Sequence, residues 1–168
     1  NLEDAPVKEG SFTSRNRSSC RTPMQWDDSA NAGFSTADAA RLYLPIDPSP
    51  ARPTVAAEER DPQSILNYVK GLIALRQQTP ALGTRGAWRF VSDVEQPYPM
   101  VYARELNGEK YLIALNPSKQ SVTARFASEG AAAQTVYGEA ARVKYTSKKG
   151  LSTLKMKPVS AVVLKITE

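Results

Sequence analysis

Histidine is absent from the 168 residues, and cysteine occurs once, at Cys20. The first absence removes the commonest general base, the Ser–His and Cys–His nucleophile pairs, and the usual zinc ligands. A single cysteine excludes an internal disulfide and a multi-cysteine metal site, and Cys20 reads as a small packing residue in a loop. No apolar run approaches the roughly 20 residues that a membrane-spanning helix needs. The opening NLEDAPVKEG lacks the charged-then-apolar form of a signal peptide and does not begin with Met. It looks like an interior start, so the chain is expected to be a piece of a longer polypeptide. Whatever chemistry it takes part in must rest on carboxylates, Arg, Lys or Tyr.

Charge is present but unevenly placed. Residues 1–82 hold 9 Lys and Arg against 10 Asp and Glu, a net of −1, whereas residues 83–168 hold 13 against 7, a net of +6. The two parts differ in electrostatic character, which supports a boundary near residues 82–86. The basic part raises the possibility of a polyanion partner. Its Lys and Arg residues are scattered in sequence, with no aromatic–basic alternation and no nucleic-acid motif, so a solvated surface is the expectation and no nucleic-acid partner is inferred.

The two parts also differ in pattern. Residues 1–60 are rich in Pro, Ser, Ala and Asp without sustained periodicity, which marks a functional loop or a segment that leans on another surface. Residues 41–46 read as a short extended stretch, stopped by Asp47-Pro48-Ser49-Pro50. Asp61 followed by Pro62 announces a helix over about 62–78, with Asp as the N-cap. Ile65, Val69, Leu72 and Ile73 form its apolar stripe, with Leu66 beside them, and Thr79-Pro80 ends it. From Ala87 the period falls to about two. Strands are predicted over 87–92, 99–106, 109–116, 121–126, 134–137, 143–145, 152–156 and 161–167, with Asn107-Gly108 as a type I′ hairpin turn. Turns are also marked at Lys148-Lys149-Gly150 and Lys157-Pro158. Eight short strands at this spacing make an antiparallel sandwich or barrel.

One stretch fits no period. Residues 21–35, RTPMQWDDSANAGFS, place Arg21, Pro23, Met24, Trp26, two adjacent acids, Gly33 and Phe34 in a loop. They resemble the RTPMQW…NAGF signature of glycoside hydrolase family 13, the α-amylase clan, in its α-glucosidase, oligo-1,6-glucosidase and trehalose-synthase branches. The resemblance continues through Arg41-Leu42-Tyr43-Leu44-Pro45, through residues 61–68 (DPQSILNY) and through residues 72–76 (LIALR). It departs at Arg17-Ser18, where many relatives have Arg-Asp. It covers about residues 14–82 specifically.

The resemblance implies a fold: the last loop and helix of a (β/α)8 barrel in residues 1–82, followed by an antiparallel β-sandwich C-terminal domain in residues 83–168. The class is mainly β. It also implies retaining chemistry on α-glucosidic bonds by an Asp nucleophile and a Glu general acid/base, both on earlier barrel strands and so outside this chain. No catalytic residue is assigned here, and Asp27-Asp28 and Glu58-Glu59 read as solvated acids. Arg21 is the residue expected to bind substrate, its planar guanidinium gripping a glucose hydroxyl at the closed end of the pocket. Pro23, Met24, Trp26 and Phe34 are expected to brace that loop. Arg60 and Arg76 read as helix-end or surface charges, and Tyr98, Tyr102 and Tyr111 as core or cross-strand residues. No cofactor and no metal is implied; the expected partners are an α-glucoside or malto-oligosaccharide substrate and the remainder of the barrel, with no membrane. A trehalose-synthase-like transferase or isomerase, and a non-catalytic carbohydrate-binding β-sandwich, stay open as alternatives.

Overall fold

The computed structural model describes residues 22–93 and 95–168. They fall into two compact units, divided between Gly71 and Leu72 within one helix.

The second unit is a sandwich of antiparallel sheets. Among the described residues its strands are β1 (Ala87–Phe90), β2 (Met100–Leu106), β3 (Glu109–Asn116), β4 (Val122–Ala127), β5 (Ala132–Gly138), β6 (Val143–Lys148), β7 (Leu151–Met156) and β8 (Ser160–Thr167). Five strands pair in the order β1-β2-β3-β8-β5, and three in the order β4-β7-β6. The hairpin turns follow the sequence: Asn107 and Gly108 have φ of 52° and 81°, and Lys149 and Gly150 have 52° and 76°. These left-handed pairs match the twist of the strands they join, β2 to β3 and β6 to β7.

Alternation decides where the core lies. Val101, Leu112, Leu164 and Val162 from the larger sheet meet Phe126, Leu154 and Met156 from the smaller one. Leu112, Leu154 and Leu164 are essentially inaccessible, each contributing roughly 1.5–3 kcal/mol relative to exposure. The run Tyr111–Ala114 on β3 is buried without alternation, because the larger sheet is also covered on its outer face. There Tyr111, Ile113 and Val163 pack with Ala81, Leu75 and Leu82. Asn116, wholly buried, donates to the carbonyls of Gln120 and Lys157, both at 2.8 Å, and accepts from Ser118. Its amide thus closes two connections that would otherwise bury bare carbonyls.

The unit ending at Gly71 is built differently. Among the described residues its regular elements are two short 3-10 turns (Ala30–Gly33 and Ala39–Arg41), α1 (Val55–Arg60) and the start of α2 (Ile65–Gln78). Carboxylates stand in for a ladder: Asp27, Asp38, Asp47 and Asp61 each accept a hydrogen bond from the backbone N–H two residues on. Such local turns are what Asp offers an irregular chain.

The structure begins α2 at Ile65, three residues after the helix expected from Pro62. The Asp61 carboxylate is engaged by the Gln63 N–H, and the Ser64 hydroxyl accepts from the Asn67 N–H at 3.1 Å in the manner of an N-cap. The expected stripe is only partly covered. Ile65, Val69 and Ile73 are exposed and Leu72 is half-buried, whereas Leu75 makes the contact with the outer face of the larger sheet. No helix among the described residues is long and apolar enough to cross a membrane.

Candidate substrate-facing loop

Arg21, the residue expected to face substrate, lies outside the described residues, as do Cys20 and Arg17-Ser18. The loop is described from Thr22 onward, and it is held by hydrogen bonds to its backbone.

Its anchor is the backbone of Gln25 and Trp26. Their carbonyls accept from the Val55 and Ala56 N–H groups, both at 2.9 Å, two of the otherwise unpaired donors in the first turn of α1. The Thr54 hydroxyl accepts from the Ala57 N–H as the N-cap, and Thr54 is 3% exposed. Gln25 adds a side-chain bond from Nε2 to the Pro53 carbonyl at 3.0 Å. Its Oε1 is buried and unpartnered among the described residues.

The NAGF portion is a left-handed turn. Asn31, Ala32 and Gly33 have φ of 52°, 54° and 68° in succession. Two of these are not glycine, which costs roughly 1–2 kcal/mol each. Surrounding bonds hold them there. The Ala32 carbonyl accepts from the N–H groups of Trp26 and Asp27 at 2.8 and 3.3 Å. The Asn31 amide donates to the carbonyls of Ser35 and Ala37 at 2.9 and 2.7 Å. At Gly33 a β-carbon would sit 2.7 Å from Asp27 Oδ1, so any other residue would have to displace the Asp27 carboxylate as well as adopt a left-handed φ.

Asp27 is bound by its own loop. The Ser29 hydroxyl, and then the Ser29 backbone N–H, hold its carboxyl below the usual carboxylate range. An ionised carboxylate committed to Ser29 is no general acid. Asp28 is exposed and lies 3.7 Å from Arg52. Glu58 and Glu59 are structural too. The Glu58 carboxylate accepts from the Leu66 N–H, Glu59 pairs with Lys70 at 3.1 Å, and their backbone carbonyls both accept from the Asn67 amide. Among the described residues each of these four acids thus has a contact within its own unit.

Met24, Trp26 and Phe34 are each about half exposed, so the described part of the loop is fixed by its backbone and not by burial of its large side chains. Beside the turn is an open groove of about 720 Å³ lined by Ser29, Asn31, Ala32, Leu42, Asp47 and Arg52, among others. The amides of Gln25, Asn31 and Asn67 organise the unit, and sequence reasoning passed over all three. The available signal was that each stands in irregular chain or at a helix start, where an amide can satisfy several backbone groups at once.

In the second unit Tyr111 is buried and Tyr102 half-buried, as cross-strand residues should be, while Tyr98 is exposed. An exposed pair, Trp88 and Phe90, stacks edge-on at 4.7 Å on β1.

Comparison with known proteins places these features. Residues 3–85 match the α-amylase catalytic domain. An oligo-1,6-glucosidase from Parageobacillus thermoglucosidasius is 36% identical over 107 residues, 64% of this chain and 18% of that protein. A trehalose synthase/amylase from Mycobacterium tuberculosis is 35% identical over 97 residues, 55% of this chain and 16% of that protein. The crystal structure of a trehalulose synthase from Pseudomonas mesoacidophila matches 90% of this chain with a TM-score of 0.70 and 28% identity, covering 26% of its own chain. The chain therefore spans about a fifth of the length of the curated relatives it matches.

Proposed function

Because the chain belongs to the α-amylase family, we propose that it is the C-terminal part of an α-glucosidase-like glycoside hydrolase. In this reading residues 1–82 are the trailing loop and helix of the catalytic barrel and residues 83–168 its β-sandwich domain. Substrates are α-glucosidic bonds of malto- or isomalto-oligosaccharides, cleaved with retention by an Asp nucleophile and a Glu general acid/base in the preceding barrel. This chain supplies one wall of the sugar pocket. Arg21 grips the terminal glucose, and the residues that follow it hold the loop still.

The observation that carries this reading is the anchoring of Gln25 and Trp26 to the first turn of α1, four and five residues after Arg21. A loop at the C-terminal end of a barrel strand is where such enzymes collect their sugar-binding groups, and a charged residue there acts only if its support is rigid. Two measurements test the proposal. The 168-residue chain alone should release no glucose from maltose, isomaltose or a chromogenic α-glucoside; turnover would overturn the assignment of the catalytic acids to another part of the polypeptide. In the whole polypeptide, Arg21→Ala should lower kcat/KM by roughly a hundredfold, most for the smallest substrates. Unchanged kinetics would remove Arg21 from the pocket.

A second reading is favoured by the trehalose synthase and trehalulose synthase relatives: glucosyl transfer or isomerisation on the same scaffold. Products from maltose and sucrose separate the two, with free glucose for hydrolysis and a rearranged disaccharide for isomerisation.

A further inference from the structure

The outward face of the smaller sheet gathers charge that the sequence scatters. Its inward positions, among them Phe126, Tyr145, Leu154 and Met156, belong to the core cluster or pack against it. Its outward positions include Arg125 on β4, Lys144 and Lys148 on β6, and Lys155 on β7. None of these three strands contains an acid. Lys144 stands directly opposite Lys155, a like-charge pair that costs stability on a sheet. On the other side of β7, Arg125 is opposite Thr153, one diagonal step from Lys155. Among the described residues none of these four cations forms an ion pair or a side-chain hydrogen bond. Three unpaired cations thus run across three adjacent strands.

At the β4 end this row enters a pocket of about 390 Å³, within the range of roughly 300–1,000 Å³ typical for small ligands. Thr123, Arg125 and Lys155 form one wall. Asp93 and Gln96, from the connection between β1 and β2, line the other. The Asp93 Oδ1 atom accepts from the Glu95 N–H and the Asp93 carbonyl from the Gln96 N–H, which fixes the turn, and the side-chain amide of Gln96 has no hydrogen-bond partner among the described residues. One wall therefore suits an oxyanion, since a guanidinium and an ammonium share its charge. The other suits hydroxyl groups, which donate to a carboxylate and exchange bonds with an amide. Among the described residues no aromatic side chain lines the pocket, so it lacks the aromatic platform on which nucleobases commonly stack.

We propose that this pocket binds a phosphorylated sugar, with Arg125 and Lys155 holding the phosphate and Asp93 and Gln96 the hydroxyls. The inference is independent of the glycosidase reading, because every residue in it lies within residues 92–155 and none serves the loop that carries Arg21.

Calorimetric titration of the whole polypeptide with glucose 6-phosphate, at fixed ionic strength, tests it. Saturable binding is expected, with inorganic phosphate weaker by about tenfold or more. Arg125→Gln and Lys155→Gln should each weaken the sugar phosphate by about tenfold, with turnover of α-glucosides unchanged. Both residues are exposed, so the variants keep the fold. Absence of saturable binding, or variants that bind like the parent protein, would overturn the site. Inorganic phosphate binding as tightly as the sugar ester would overturn the role of Asp93 and Gln96. A parent polypeptide that binds the sugar phosphate saturably but turns over no α-glucoside would support this site and overturn the barrel reading.

Discussion

The two units reach order by opposite means. In the unit ending at Gly71, Ala32 is the one buried apolar side chain among the described residues; what is otherwise buried is the polar Thr54 and Ser64. Order there comes from carboxylates, hydroxyls and amides that each satisfy one to three backbone groups. In the unit beginning at Leu72, two sheets enclose a core drawn from β2, β3, β4, β7 and β8. The comparison teaches that a loop can be fixed without a core when its polar side chains are matched to its backbone. Each such match is worth only about 1 kcal/mol, however, so the loop has many small supports and the sandwich a few large ones.

The sharpest way to break the sandwich is at its largest support. Leu154 is fully buried between the sheets, opposite Ala124 on β4 and Tyr145 on β6. Leu154→Ala should cost roughly 3–4 kcal/mol, read as a lower urea midpoint with an unchanged slope. A loss below about 1 kcal/mol would mean that the two sheets do not share this core.

The loop should break with less energy and in one place. Gly33→Ala meets both a left-handed φ and the Asp27 carboxylate, at an expected cost of about 2 kcal/mol. The Trp26 and Asp27 amides, which donate to the Ala32 carbonyl, should then exchange with solvent at least about tenfold faster. The amides of β3 and β8 serve as the control. Unchanged exchange at Trp26 would show that the turn does not hold the motif.

The sandwich was far more legible in the sequence than the loop. Period-two alternation and the Asn107-Gly108 turn located the eight strands of the described residues, and β3 was expected over the residues it occupies. Hydrophobic alternation records which face is buried, so a core leaves a trace along every strand. A loop held by amides leaves none. Asn31 donates to carbonyls four and six residues ahead, and Asn67 reaches back six to nine residues, spacings that no period encodes. The start of α2 was misplaced for a related reason, because Asp61 and Ser64 are both good caps and only the fold decides which one serves. The row of cations was hidden as well. Arg125, Lys144 and Lys155 become neighbours only once β4, β7 and β6 pair.

The smallest effect tests whether a polar match can matter in the sandwich as it does in the loop. Glu129, between β4 and β5, has a side chain only 7% exposed and contacts Arg89 at 2.5 Å and Lys110 at 3.2 Å. Burial opposes its charge, but the hydrogen bonds and charges of Arg89 and Lys110 outweigh that opposition and hold its carboxyl below the ordinary value of 4.5. A carboxyl depressed on folding stabilises the native state above its unfolded pKa, and that stabilisation is lost as pH falls through the folded value. Because Arg89 is half exposed, the contribution is modest, about 1 kcal/mol. Thermal unfolding followed from about pH 6 down to about pH 3 should therefore show a decline in the parent protein that is shallower in Glu129→Gln. The variant should already be less stable at pH 6, where the parent carboxylate is ionised, and the two curves should converge at the acid end. Parallel curves would assign the acid sensitivity to other carboxylates and leave the sandwich resting on its apolar core alone.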